Sequence, residues 1–135
     1  MCIESKDAAL GKTLQELAQT ISNKVYFIDS AKRKTLHLAA VFACNFPNYL
    51  YNIAQQLLAK QEIDFELLRP LILETAEKVQ QSLPADVQTG PAIRNDEITM
   101  RNHLQLLNDE PQLQQLYTLL SQGIIKLDTP QRGDK

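Results

Sequence analysis

Apolar residues recur along much of this chain at the three- and four-residue spacing of amphipathic helices. Within residues 7–22 the repeat begins with Leu10 and Leu14 and continues for two more turns, so these residues would occupy one face of a helix. Short runs of β-forming residues flank this segment, at 1–4 and 24–28. A strand, a helix and a second strand in so short a stretch predict a βαβ unit with parallel strands.

A longer and more apolar segment follows over residues 30–59, with Asp29 or Ser30 as its predicted N-cap. Its first half is apolar on nearly all sides, which is typical of a helix that is buried on most faces. Pro47 lies inside this segment. Because proline has no N–H to donate to the carbonyl of residue 43, we expect the long helix to kink there.

Further helices are predicted in the second half of the chain. Segments 65–83 and 96–107 carry apolar residues at helical spacing, and another helix begins near Pro111, where proline suits the first turn. The loop 84–95 separates two of them, and the polar residues after Leu127 are expected to fray. The predicted fold class is therefore mainly α, a bundle of about four helices with an N-terminal βαβ unit.

Two parallel strands do not make a stable sheet by themselves, because a parallel sheet needs more strands and cover on both faces. We therefore interpret residues 1–29 as the remnant of a nucleotide-binding domain, 30–126 as a helical domain and 127–135 as a flexible tail. A chain of 135 residues is long enough for one hydrophobic core.

Charge and composition exclude several functions. The net charge of −2 lacks the basic excess of nucleic-acid-binding proteins. The longest apolar stretch, residues 36–46, is too short to span a bilayer, so no membrane role is expected. Two distant cysteines, Cys2 and Cys44, form neither a disulfide framework nor a CxxC metal pair. We expect a cytoplasmic protein without a metal site.

A polar stripe runs along the long helix. At about 100° per residue, His37, Asn45, Asn48, Asn52 and Gln55 fall within about 80° of one another. This stripe either lines a cleft or a subunit contact, or is the solvent-facing edge of the helix. His37 is the candidate general acid or base, and a hydrogen-bonded structural histidine is the alternative.

The loop from Gln88 to Asp96 is the second candidate for chemistry. Gly90 before Pro91 allows the backbone to approach another group closely. Arg94 can bind a carboxylate or phosphate in a bidentate manner, and Asp96 can orient it. The alternative is that Asn95 or Asp96 caps the next helix and that Arg94 pairs with a surface acid.

The chain lacks the short motifs of nucleotide-binding proteins. Neither GxGxxG nor GxxxxGK[ST] occurs in it, and no GxSxG elbow is present. His37 and Cys44 stand seven positions apart, but two ligands without companions do not make a zinc site. His103, which lies beside Met100 and Leu104, is interpreted as a partly buried, hydrogen-bonded histidine.

Three sequence motifs resemble a known family. They are Arg33-Lys34-Thr35-Leu36-His37-Leu38-Ala39-Ala40-Val41-Phe42-Ala43-Cys44-Asn45-Phe46, Leu68-Arg69-Pro70-Leu71-Ile72-Leu73-Glu74-Thr75-Ala76 and Gln88-Thr89-Gly90-Pro91-Ala92-Ile93-Arg94-Asn95-Asp96. Together, over residues 2–125, they resemble the helical C-terminal domain, a domain of unknown function, of a group of Rossmann-type oxidoreductases. That group is similar in layout to pyrroline-5-carboxylate reductase and the 6-phosphogluconate dehydrogenase-like superfamily.

The resemblance implies a site in the cleft between the helical domain and a nucleotide-binding domain. His37 would be its catalytic acid or base. The substrate-binding residues would be Asn45, Thr89, Gly90, Arg94 and Asp96. The parent protein would use NADP or NAD, or a deazaflavin, to transfer a hydride to or from a small-molecule carbonyl, imine or alcohol. No cofactor is expected to bind this chain alone.

The resemblance also implies a homodimer formed through the helical domain. The apolar long helix independently favours self-association, because the remaining helices are too few to cover all its faces. The chain is therefore predicted to be the substrate-side and dimerisation domain of an oxidoreductase. The alternative is a non-enzymatic helical module for self-association.

Overall fold

The computed structural model describes residues 1–128, of which the last is described in its backbone only. Two compact units make up the chain, Met1–Phe65 and a second unit that begins at Glu66. The first contains a two-stranded sheet and the long helix, and the second contains three further helices. The mainly α fold class and the N-terminal βαβ unit are confirmed. The predicted domain division at residues 29 and 126 stays a prediction, and nearly all of the predicted tail lies outside the described residues.

The N-terminal βαβ unit consists of β1 (Cys2–Ile3), α1 (Ala8–Gln19) and β2 (Tyr26–Phe27). The strands are parallel, with Cys2 opposite Tyr26 and Ile3 opposite Phe27. Asp7 is the N-cap of α1, because its carboxylate accepts hydrogen bonds from the N–H groups of Ala9 and Leu10.

The long helix is continuous but changes its hydrogen-bonding pattern in the middle. It consists of α2 (Ser30–Ala40), a π-helical segment (Val41–Asn45) and α3 (Phe46–Ala59). The N–H of Phe46 donates to the carbonyl of Val41, five residues back, and Pro47 lies in the first turn of α3. The interruption expected from Pro47 is therefore a wider, π-helical turn just before the proline. Because of this turn, the missing N–H of Pro47 does not break a regular series of α-helical hydrogen bonds.

The second unit contains α4 (Arg69–Gln81), α5 (Glu97–Leu106) and α6 (Pro111–Asp128). A 3₁₀ turn, Phe65–Leu68, precedes α4, so the α-helix begins four residues later than the apolar spacing indicated. Pro111 opens α6, as expected for a residue whose N–H would find no helical partner there.

Few hydrophobic side chains are buried in this chain. Within residues 1–128 the buried ones are Ala18, Ala92 and Leu107. Many apolar residues of the long helix, including Leu38 and Phe42, are exposed, and others, such as Leu50 and Ile53, are only half-buried. The burial expected for most faces of that helix is therefore not found. The spacing predicted their helical structure correctly, but periodicity alone does not identify the surface that would cover them.

Candidate functional site

The loop that precedes α5 has a defined backbone. Gly90 and Asn95 both have positive φ angles, 109° and 53°, a region that glycine and asparagine tolerate better than other residues. The N–H of Asn95 donates to the carbonyl of Ala92 at 3.1 Å, and the N–H of Asp96 donates to the carbonyl of Pro91 at 2.9 Å. Ala92 is buried. These contacts fold the segment 90–96 into a compact turn anchored by a buried alanine.

Asp96 joins this loop to α5. Its carboxylate accepts a hydrogen bond from the N–H of Thr99 at 3.0 Å and from the Thr99 hydroxyl at 2.7 Å. The backbone and side-chain hydrogen bonds from Thr99 lower the pKa of Asp96 below 3.8, and the nearby charges of Arg94 and His103 lower it further. Asp96 is therefore an ionised N-cap. This agrees with the alternative in the sequence analysis in which a residue of this loop caps the next helix.

The other loop residues named by the sequence differ in their surroundings. Thr89 is exposed, and its carbonyl accepts a hydrogen bond from the side-chain amide of Gln88 at 2.9 Å. Arg94 is exposed, and within residues 1–128 its guanidinium makes no hydrogen bond. Its donors are therefore available to an anionic group.

His103 and Tyr117 form a pair close to this loop. Nδ1 of His103 lies 2.9 Å from the hydroxyl oxygen of Tyr117, and the rings meet edge to face with centroids 5.7 Å apart. Both side chains are half-buried. This contact agrees with the interpretation of His103 as a hydrogen-bonded histidine. The sequence analysis did not identify Tyr117 as the partner, because Tyr117 lies on another helix, 14 positions away.

His37 and Asn45 lie on the long helix in the first unit. Both are exposed, and the imidazole of His37 has no hydrogen-bond partner among residues 1–128. The π-helical segment inserts about one extra residue into the helical repeat, which rotates the residues after it by about 100°. Relative to a regular α-helix, that rotation moves Asn48, which lies after the segment, away from the direction of His37.

The carboxyl ends of β1 and β2 carry a cluster that the sequence analysis missed. The carboxylate of Glu4 accepts hydrogen bonds from the N–H and the hydroxyl of Ser30, all at 2.9 Å, and from Arg33 at 2.6 Å. Asp29 accepts a hydrogen bond from the N–H of Lys32 at 2.8 Å. Two carboxylates therefore cap α2, beside an open cleft of about 380 Å³. A glutamate at the end of the predicted strand, residues 1–4, was the available signal.

The sequence-predicted residues fall into two groups. Thr89, Gly90, Arg94 and Asp96 share the second unit, whereas His37 and Asn45 belong to the first. Their assembly in one cleft stays a prediction. Within residues 1–128 no group of three or more potential metal ligands is found, and no helix there is both long and apolar enough to cross a membrane.

Comparisons with known proteins agree with this fold. The chain is similar to the crystal structure of a "putative NADP oxidoreductase", BF3122 from Bacteroides fragilis, with 49% identity and a TM-score of 0.86 over 93% of this chain and 48% of that one. Protein TM1727 from Thermotoga maritima shares the fold, with 24% identity and a TM-score of 0.81 over 98% of this chain and 54% of that one. The chain thus spans about half the length of both.

No functionally curated protein matches the chain. The family model described as "Domain of unknown function (DUF2520)" matches residues 1–124. The resemblance to the helical domain of Rossmann-type oxidoreductases is confirmed by this match and by the similarity to BF3122. Since the family model covers most of the sequence, the chain belongs to the DUF2520 family.

Proposed function

We propose that this chain is the substrate-side and dimerisation domain of an NADP-dependent oxidoreductase. The observation that carries the proposal is the 49% identity, over 93% of this chain, to a protein described as a "putative NADP oxidoreductase". Only 48% of that protein is matched. In this proposal, therefore, residues outside the present sequence bind the nucleotide.

The residues present here do not fit the diphosphate of NADP. A diphosphate is usually bound by a glycine-rich turn and the free N–H groups of a helix N-terminus. The sequence has no such turn, and carboxylates already cap α1 at Asp7 and α2 at Asp29 and Glu4. These negative charges disfavour a phosphate at either helix, so we derive no chemical step through the cofactor from this chain.

The substrate part of the proposal depends on the loop before α5. Arg94 is exposed on a well-defined backbone and has free donors within the described chain, which suits a carboxylate or phosphate on a small substrate. Thr89 and Gly90 would position that substrate, with Asp96 holding the loop. In this proposal His37 supplies the acid or base and Asn45 orients the reacting group.

The dimerisation part depends on an apolar stripe of the long helix, which consists of Leu38, Phe42, Phe46 and Tyr49. These side chains are 57%, 63%, 46% and 57% exposed. Phe42 and Phe46 contact each other edge to face, with ring centroids 4.9 Å apart, so they share one face. An exposed face of this kind favours association, and a second copy of the chain is the partner that we propose. A stable dimer would bury at least ~2,000 Å² in total.

The oligomeric state tests the dimerisation part. Light scattering at micromolar concentration is expected to show a dimer for the wild-type chain and a monomer for the double variant Phe42→Asp, Phe46→Asp. The control is the double variant Leu10→Asp, Leu17→Asp on α1, which adds the same two charges at exposed leucines and is expected to leave the dimer intact. A wild-type monomer, or dissociation by the α1 variant alone, would contradict this part of the proposal.

Nucleotide binding and turnover test the oxidoreductase part. The test uses a longer protein that contains this chain together with the proposed nucleotide-binding domain. This longer protein is expected to bind NADPH in a fluorescence titration and to oxidise it in the presence of one of a panel of small carbonyl compounds. In that protein Arg94→Ala is expected to raise KM for the substrate, and Arg94→Lys is the control that keeps the charge. If the longer protein binds no NADPH, the non-enzymatic self-association module becomes the better interpretation.

A further inference from the structure

The second unit connects α5 to α6 through few side chains, and His103 and Tyr117 are central among them. Nδ1 of His103 lies 2.9 Å from the hydroxyl oxygen of Tyr117. A second link is the side-chain amide of Gln114, which donates to the carbonyl of Leu104 at 2.8 Å. These two side-chain hydrogen bonds join α5 to α6, and Leu107, at the end of α5, is buried.

α5 depends on such contacts because it is short. With 10 residues, it is below the length of about 12–15 residues at which even good isolated helices become marginally stable in water. Its N-cap Asp96 satisfies local N–H groups, but a cap does not fix the direction of a helix. The position of α5 in the second unit is therefore set by its tertiary contacts.

The position of the loop 89–94 depends on the position of α5. Asp96 and His103 are seven positions apart, which places them on the same face of the helix. The N–H of Asp96 donates to the carbonyl of Pro91, so the loop closes directly on the first turn of α5. A continuous path of short contacts thus runs from Tyr117 through His103 and α5 to the turn that precedes Arg94.

We propose that His103 and Tyr117 are positioning residues for the loop 89–94. Their hydrogen bond fixes α5 on α6, and α5 in turn holds the turn that presents Arg94. The role as a substrate loop rests on the proposed function, whereas the mechanical coupling from the pair to the loop does not. His103 then acts through the backbone of α5 and needs no contact with the substrate.

Hydrogen exchange of the loop amides tests this coupling on the present chain, without substrate or cofactor. The reporters are the N–H groups of Asn95 and Asp96, which donate to carbonyls within the loop. Tyr117→Phe keeps the ring but removes the hydroxyl, and His103→Leu removes the imidazole. Each variant is expected to accelerate exchange at the reporters about five- to tenfold, as for the loss of one hydrogen bond, with smaller changes in α4.

Two further variants separate this coupling from a general loss of stability. His103→Gln keeps a side-chain amide able to bond the Tyr117 hydroxyl, so it is expected to restore most of the protection lost in His103→Leu. Thr118→Val removes a neighbouring hydroxyl that bonds only within α6, to the carbonyl of Gln114 at 2.8 Å. It is the matched control and is expected to leave the reporters unchanged.

The imidazole itself provides a spectroscopic signature. If Nδ1 of neutral His103 accepts the Tyr117 hydroxyl proton, ¹⁵N spectra at alkaline pH are expected to place the ring proton on Nε2, and Tyr117→Phe is expected to shift the Nδ1 resonance. Unchanged reporter exchange in Tyr117→Phe, or equal acceleration throughout α4, α5 and α6, would overturn the proposal. Failure of the longer protein to bind NADPH would overturn only the proposed function.

Discussion

Polar side chains are positioned in one way on the long helix of the first unit and in another way on the loop, α5 and α6 of the second unit. On the long helix, the helix backbone alone places His37 and Asn45, and both are exposed. In the second unit, Asp96 and His103 are held by hydrogen bonds to Thr99 and to Tyr117. A helix backbone determines the direction of a side chain, whereas tertiary contacts also determine its rotamer and its surroundings.

This difference separates an exposed apolar surface from a loop that is already ordered by contacts within its own unit. The apolar stripe Leu38–Tyr49 remains uncovered in the chain, so its side chains gain their packing only when another surface covers them. The loop before α5 has its buried anchor, Ala92, within the same unit. We therefore expect variants in the second unit to act on stability, and variants of the stripe to act on association.

The largest effect on stability is expected for Leu107→Ala. Leu107 is 8% exposed and lies at the end of α5, so its truncation removes apolar contacts and leaves a cavity. We expect the free energy of unfolding to fall by about 2–3 kcal/mol, as measured by urea denaturation. Leu106→Ala is the control, because Leu106 is 83% exposed. An equal loss in both variants would show that α5 is not anchored through Leu107.

A somewhat smaller loss is expected for Ala18→Leu in the first unit. Ala18 is 3% exposed, and the larger side chain would have to displace its neighbours, at a cost of about 1–2 kcal/mol. Ala9→Leu, on the exposed part of the same helix, is expected to change the free energy of unfolding by less than about 0.5 kcal/mol. Thermal unfolding of both variants measures the difference, and a neutral Ala18→Leu would mean that α1 packs loosely.

Alanine substitutions at three glycines are expected to change the stability of the chain in opposite directions. Gly11 and Gly123 lie in helices, and a Cβ at Gly11 would meet only ordinary contacts at 3.6 Å, whereas one at Gly123 would meet nothing within 4 Å. Alanine at either position is expected to stabilise the chain by about 0.5–1 kcal/mol. Gly90→Ala is expected to destabilise it, because φ at Gly90 is +109°. Calorimetric melting temperatures of the three variants test the signs, and stabilisation by Gly90→Ala would contradict the loop geometry.

The smallest effect is expected in the pH dependence of stability. Hydrogen bonds from Thr99 lower the pKa of Asp96 in the folded chain below its ordinary value of 3.8. The resulting stabilisation is complete above pH 3.8 and is lost as the pH falls through the lowered folded-state pKa. Asp96→Asn keeps a good cap, so we expect its melting temperature to fall less between pH 7 and pH 3.

The control for this pH effect is Asp86→Asn, since the carboxylate of Asp86 accepts no hydrogen bond within the described chain. It is expected to follow the wild-type pH dependence. If Asp86→Asn flattened the curve as much as Asp96→Asn, the cap would not be the source of the effect.

Local sequence signals were sufficient for most of the secondary structure. Asp29 and Asp96, each one of two candidate caps in the sequence, are N-caps in the structure, and Pro111 lies in the first turn as predicted. A cap and its N–H partners are at most three residues apart, so the sequence alone specifies them.

The sequence by itself thus determined the helices, their caps and the parallel strand–helix–strand unit, because each depends on neighbours within a few positions. The tertiary structure decided which polar groups meet. Tyr117 reaches His103 across 14 positions, and Arg33 reaches Glu4 across 29. Periodicity places each of these residues on a face of its own element, but only the packing of one element against another determines which of them form a hydrogen bond.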